Sequence, residues 1–368
     1  MLVSAEAIAS GRGKAAGGGP LYTMRDVARL ARVSVATVSA VVNGKPCVRP
    51  PLVKRVQEAL EALDYHPDHV ARSLKVRRTT TIGVVIPDFA SGFFVEAVRG
   101  IEDAARKAGY SILLCNSNDD ASEEKRYLSV LLSRRVDGIL LASTNPNSIG
   151  PSRSRHGVPV VLFDRIPLGY KGPAVVINNS EAAYQVTQHL ISLGHRRVAF
   201  IAGRLDLSTG IERAAGFRKA FEDAHLPVHA EYFRRGNFKP EGGYCCGMEL
   251  LHLSEPPTAI VSSNGPMTLG LLRAMRELRV RCPDNVSVVG FDELVPGTEE
   301  YNFGALLEPE LTVVAQPGHQ VGTRAAEILL KMLLDGADQE EAPSEEVVML
   351  KAELRIRKSV AAPPVTIP

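Results

Sequence analysis

From Thr81 to Gly290 the chain repeats one pattern, a short apolar run followed by a stretch with helical spacing. The first series holds Ile82-Gly83-Val84-Val85-Ile86, Ile112-Leu113-Leu114-Cys115-Asn116, Asp137-Gly138-Ile139-Leu140-Leu141 and Pro159-Val160-Val161-Leu162-Phe163-Asp164. Runs this short and this apolar fit strands covered on both faces, as in parallel sheets. Between them the spacing predicts helices from about Phe94 to Ala108, stopped by Gly109, and from Glu123 to Arg135. After a break the pattern restarts: Ala174–Ile177, a helix to Leu193-Gly194, Val198–Ile201, a helix over Thr209–Ala224, Ala259–Ser262 and Val286–Gly290. Strand–helix alternation builds open sheets with helices on both faces. Two series predict two lobes, with a ligand held at strand C-termini in the cleft between them.

A different pattern lies upstream, TMRDVARLARVSVATVSAVVNG over residues 23–44. Thr23 can cap a first helix, with Asp26 three residues on as its reciprocal partner. Val27, Leu30 and Ala31 give that helix one apolar stripe. After the turn Ala31-Arg32-Val33, Ser34 starts a second helix whose inward face is Val38, Val41 and Val42. Val35, Ala36, Thr37, Ser39 and Ala40 are left facing outward, small enough for a helix backbone to approach a DNA groove. Thr37 and Ser39 can hydrogen-bond phosphate or base edges, and Val35 or Ala36 can touch a thymine methyl. Asn43-Gly44 ends the helix, both residues tolerating left-handed backbone. A third amphipathic helix carries Leu52, Val53, Val56, Ala59, Leu60 and Leu63, and a basic, Thr-rich linker follows.

At 368 residues, 45% of them apolar, the chain should hold two or three domains. Its net charge of +2 is unevenly spread: residues 21–81 hold eleven Lys/Arg against five Asp/Glu, while the remainder beyond 81 is slightly acidic. A basic head on an acidic body is the footprint of a nucleic-acid binder. Cys47, Cys115, Cys245, Cys246 and Cys282 have neither disulfide nor zinc spacing, which fits a reducing cytoplasm and, for a DNA binder, the nucleoid. No run has the length of a membrane helix, and residues 1–21 make a poor signal peptide; they read as a disordered tail, with Met24 an alternative start. Periplasmic sugar-binding proteins and enzymes are the competing classes. The head and the missing export signal argue against the first. No nucleophile elbow, dinucleotide fingerprint or metal-spaced cluster supports the second, so no catalytic residue, metal or cofactor is expected; His66 and His69 lack a carboxylate partner.

Taken together, these residues resemble the LacI/GalR family of transcriptional regulators. The likeness is carried by TMRDVARLARVSVATVS, VVNG, VARSLKV (residues 70–76), Pro257-Thr258-Ala259-Ile260 and Val286–Asp292, and runs from Thr23 to about Val360. The hinge looks most like that of the purine repressors. The resemblance implies an α/β chain with a three-helix head at 22–66, a hinge helix and linker at 67–81, and a periplasmic-binding-protein-like effector and dimerisation body at 82–360. Its lobes would take about 82–164 plus 314–340 and 165–313 plus 345–360, with a tail at 361–368. It implies a homodimer on palindromic double-stranded operator DNA, read by Thr23, Ser34, Val35, Ala36, Thr37, Ser39, Ala40 and Asn43. Leu74 would wedge into the minor groove, and Arg72 and Lys75 would supply charge. A small-molecule effector would meet Phe93, Phe94, Arg165, Thr209, Arg213, Phe238, Asn264 and Asp292 in the cleft. No membrane partner is implied.

The chain departs from the family's pattern in places. Ala40 stands where many members have Arg, Arg32 replaces a common turn Gly, and Arg49-Pro50-Pro51 replaces a Ser-led helix start. Gly265, Asn178 and Asn237 stand where carboxylates are usual. Three lost carboxylates predict a less acidic pocket, hence a ligand that is anionic or poor in hydroxyls, or none.

Overall fold

The computed structural model describes residues 22–42, 46–65, 78–145, 157–294, 307–335 and 347–364. The chain divides at Thr79 into two compact units.

In the first unit, α1 (Met24–Ala31), α2 (Val35–Val42) and α3 (Pro50–Ala62) pack around Val27, Ala28, Ala31, Val38, Val56, Ala59 and Leu63, all buried. The Asp26 carboxylate, fully buried, accepts from Thr23 N–H at 2.8 Å, Thr23 Oγ at 2.7 Å and Arg29 Nη2 at 2.9 Å. Three donors hold the charge that burial would otherwise penalise. Arg32 ends α1 in the left-handed region, φ 50, which costs a side-chain-bearing residue about 1–2 kcal/mol. Arg55 of α3 stabilises this turn, donating to the carbonyls of Ala31 and Arg32.

In the second unit two six-stranded sheets form. The first contains β1 (Thr81–Ile86), β2 (Ser111–Asn116), β3 (Gly138–Leu141), β4 (Val160–Phe163), β5 (Ala174–Ile177) and β11 (Val347–Leu350), in the order β11-β5-β4-β3-β1-β2, with every pairing parallel. The second contains β6 (Val198–Ala202), β7 (Phe233–Arg235), β8 (Ala259–Ser262), β9 (Ser287–Phe291), β10 (Thr312–Ala315) and β12 (Glu353–Arg355), in the order β12-β10-β9-β8-β6-β7. Only the β10–β12 pairing is antiparallel.

Period-two alternation sends side chains of one strand to opposite faces. Val198, Phe200 and Ala202 of β6 join a cluster with α6 (Asn179–Ser192) and α7 (Ser208–Asp223), whereas Ala199 and Ile201 join one with α8 (Pro240–Leu251) and α9 (Gly265–Glu277). In the first sheet, α4 (Gly92–Lys107) and α10 (Gly318–Leu334) cover Ile82, Val84 and Ile86, while Val85 faces α5 (Ala121–Ser133). Gly100 and Gly322 let α4 and α10 touch; an added Cβ would lie 2.1 Å from the His319 carbonyl oxygen or 1.9 Å from that of Ala97.

The chain changes lobe three times, after β5, between β10 and α10, and between β11 and β12. The sequence reading drew these borders differently. It opened the second series with Ala174–Ile177, which pairs with β4 in the first sheet. It sent the chain back at about 312–314, but Thr312–Ala315 pairs with β9 in the second sheet. It gave 345–360 to the second lobe, yet Val347–Leu350 lies beside β5. Local periodicity reports that a strand is buried, not which sheet buries it.

Candidate DNA-reading helix and inter-lobe cleft

In the head, Ser34 Oγ accepts Thr37 N–H at 3.1 Å and shares a 2.9 Å hydrogen bond with the Thr37 hydroxyl. This cap leaves Ser34, Val35 and Ala36 exposed at the start of α2, Val35 at 42%. Thr37, Ser39 and Ala40 are half-buried, and Thr23 is exposed at the start of α1. Small side chains at an exposed helix start suit close approach to phosphate and groove floor. Asn43, Arg72, Leu74 and Lys75 lie outside the described residues.

In the body, the C-terminal ends of both sheets face one buried cleft. All the effector candidates line it: Phe93 and Phe94 from α4, Arg165 after β4, Thr209 and Arg213 from α7, Phe238 after β7, Asn264 after β8 and Asp292 after β9. Arg213, 3% exposed, donates from Nε to Asn179 Oδ1 at 2.8 Å and from Nη1 to the Ser263 carbonyl at 2.5 Å, and lies over the Phe291 ring at 4.4 Å. Asn264 Oδ1 accepts Met267 N–H at 3.0 Å, while its Nδ2 donates to the Phe238 carbonyl at 2.9 Å. Phe238 itself sits at φ 63, and its ring packs where a Cβ on Gly203 would come within 2.0 Å. Asp119, Asp164 and Asp292 share that left-handed backbone, a concentration of strain expected at binding sites.

Arg165 spans the lobes. Its Nη1 donates to Asp119 Oδ1 at 2.8 Å, and its guanidinium lies over the rings of Phe94 at 5.8 Å and Phe238 at 5.2 Å. Nε is 3.2 Å from Asp164 Oδ2, an ion pair without hydrogen-bond alignment. Burial raises the Asp164 carboxyl above the ordinary range. Burial likewise pushes Asp292 up to about 6, against the pull of Arg213 and of Gln316, which donates to it at 2.5 Å. The Arg213 guanidinium is lowered by burial but opposed by Asp292 and Asp164. Three buried lining atoms have no hydrogen-bond partner: Arg165 Nε, Thr209 Oγ1 and Gln316 Oε1.

The sequence reading missed Asp88, Ser91, Asp119, Asp164, Pro266 and Gln316, which also line the cleft. The only signal for most of them was position just past an apolar run. The expectation of a less acidic pocket rested on Gly265, Asn178 and Asn237, none of which lines the cleft, whereas Asp88, Asp119, Asp164 and Asp292 do. Asn237 does not line the cleft; its Oδ1 accepts Lys239 N–H at 3.0 Å. Asn178 caps α6, accepting Glu181 N–H at 3.0 Å. Among the described residues no group of His, Cys, Asp and Glu is arranged to hold a metal, and no helix is long and apolar enough to cross a membrane.

A helix-turn-helix head ahead of a two-lobed body with a polar inter-lobe cleft defines the effector-responsive DNA-binding regulators as a class. Family models narrow it: bacterial regulatory proteins of the lacI family match residues 23–68, and the periplasmic binding proteins and sugar binding domain of the LacI family match 79–354. The chain belongs to the LacI family and is a DNA-binding transcriptional regulator, not an enzyme. Relatives include the HTH-type transcriptional repressor PurR of Histophilus somni, 33% identical over 92% of this chain and 99% of its own length. Catabolite control protein A of Priestia megaterium is 34% identical over 92% and 98%. Among solved structures, the lac repressor dimer bound to operator and the anti-inducer ONPF aligns with a TM-score of 0.76 at 26% identity, covering 93% of this chain and 99% of that one. A transcriptional regulator CelR–cellobiose complex aligns at 0.65 and 30%, covering 92% and 100%.

Proposed function

We propose that the chain is a cytoplasmic repressor that binds a two-fold symmetric operator as a homodimer. Its gate is a small hydroxyl-bearing ring ligand (a sugar, a sugar derivative or a purine-like metabolite) in the inter-lobe cleft. The observation that carries the ligand half is that groups from both lobes without a hydrogen-bond partner, Thr209 Oγ1, Gln316 Oε1 and Arg165 Nε, converge on one buried space. Hydroxyls satisfy such groups, and the Phe238 ring offers a face for stacking. Four carboxylates, Asp88, Asp119, Asp164 and Asp292, line the cleft against the two lining cations Arg165 and Arg213, which favours an uncharged ligand over an anion. Gripped from both sides, the ligand stabilises the closed lobes and shifts that equilibrium.

The DNA half rests on the exposed, small-residue start of α2 and on relatives: PurR proteins are named repressors, and the lac repressor was solved as a dimer on operator. The test is selection of bound duplexes from a random pool, followed by titration calorimetry against neutral sugars, sugar phosphates and purines. The expected result is a palindromic consensus bound by two chains, with a neutral ligand moving the DNA-binding midpoint. A consensus without two-fold symmetry would refute the DNA half; binding by sugar phosphates alone would refute the ligand half.

A further inference from the structure

The Arg165 side chain fills the cleft. With it in place the free volume there is only about 30 Å³, room for a water or two. The guanidinium is 6% exposed and lies among four groups that suit a positive charge. Asp119 Oδ1 accepts Nη1–H at 2.8 Å, and Asp164 Oδ2 lies 3.2 Å from Nε. The rings of Phe94 and Phe238 face it at 5.8 and 5.2 Å, within reach of cation–π attraction. Asp119, Asp164 and Phe94 belong to the first lobe and Phe238 to the second, so a cation held here is enclosed only when the lobes meet.

Arg165 has space to move into. It also lines a neighbouring groove of about 390 Å³, whose lining includes the carboxylates of Asp206 and Glu212. Turning into that groove clears the cleft for a ring, but it takes the guanidinium away from Asp119 and Asp164. Lys239 does not replace it: Nζ is 3.8 Å from Asp119 Oδ2 and only 2.6 Å from Asp88 Oδ2. A buried carboxylate left without its cation is penalised. A neutral ligand leaves that penalty in place, and one carrying its own positive charge removes it.

We propose that Arg165 is an internal stand-in for a positively charged group of the effector. The preferred ligand is then a hydroxylated ring bearing an ammonium or guanidinium group, which displaces Arg165 from between Asp119 and Asp164 while ring hydroxyls meet Arg213 and Asp292. A neutral ring of the same shape binds more weakly. This rests on the cleft being the effector site, as argued above.

The test uses the full-length protein, titrated calorimetrically with matched sets: a neutral hexose, its amino-deoxy analogues and their N-acetylated forms, in the gluco, galacto and manno series, at a pH that keeps the amine protonated. At least one amine should bind about tenfold tighter than both its parent hexose and its N-acetylated form, the lower end of what one hydrogen bond between charged groups contributes. Asp119→Asn keeps the shape, removes the charge and should bring that ratio towards one. Arg165→Ala removes the competing guanidinium and should tighten amine binding several-fold, where a side chain that only supports the fold would weaken every member alike. A ratio near one or no binding in every set, a ratio that survives Asp119→Asn, or weaker amine binding in Arg165→Ala would each overturn the stand-in and leave the cleft reading intact. Flat titrations for every set and for the purines as well would overturn both.

Discussion

Asp292 concentrates the electrostatics of the cleft in one side chain. Its ordinary value is 3.8 and burial raises it to about 6, so the folded state holds the proton more tightly than the unfolded chain. The stabilising contribution of the protonated form is therefore complete below 3.8 and lost as pH rises through about 6. Asp292→Asn keeps an acceptor for Gln316 and removes the titration. The stability of the variant relative to the parent should climb by roughly 2–3 kcal/mol between pH 4 and 7 and then level off. Thermal or urea unfolding across that range checks it; a flat difference would mean Asp292 titrates normally. Arg213 is the counterpart. Arg213→Met strands the Asn179 and Ser263 acceptors and unbalances Asp292, and should cost about 3–5 kcal/mol in urea unfolding.

At the scale of elements, the turn between α1 and α2 carries a conflict and its remedy. Arg32 sits in a left-handed conformation while Arg55 holds the carbonyls around it. Arg32→Gly should stabilise the head by about 0.5–1 kcal/mol, since the Arg55 contacts go to backbone and survive. Arg55→Ala should destabilise it by about 1–3 kcal/mol by leaving those carbonyls short of a donor. Denaturation followed by a signal from the head separates the two; a loss on Arg32→Gly would show that this turn is not strained. α2 should tolerate neither change at Val38, which is fully buried, nor loss of the Ser34 cap, whereas Val35 should matter for DNA and little for folding.

Across the body, closure is held by charge. Lys239 of the second lobe reaches Asp88 at 2.6 Å and Asn118 at 3.0 Å in the first, and Arg204 donates to the Asp119 carbonyl at 3.2 Å. Lys239→Met should weaken closure by about 1 kcal/mol and speed amide exchange around 88–91 and 237–240 roughly fivefold. Unchanged exchange at both segments would mean the lobes are held by packing alone. Ligand contacts from both sides would add to the same closed state.

The sequence by itself determined the kinds of element and their order: strands from fully apolar runs, helices from spacing, the head from its caps and stripes. The eight residues that the family resemblance singles out as effector contacts all line the cleft at the C-terminal edges of the strands, where such folds bind ligands. What it left undecided was which sheet each strand joins, as Ala174–Ile177 and Val347–Leu350 show, since both sheets bury strands alike. Nor did it give the charge of the cleft. Counting carboxylates at Gly265, Asn178 and Asn237 left out Asp88, Asp119 and Asp164, residues far apart along the chain that only tertiary packing gathers into one cleft.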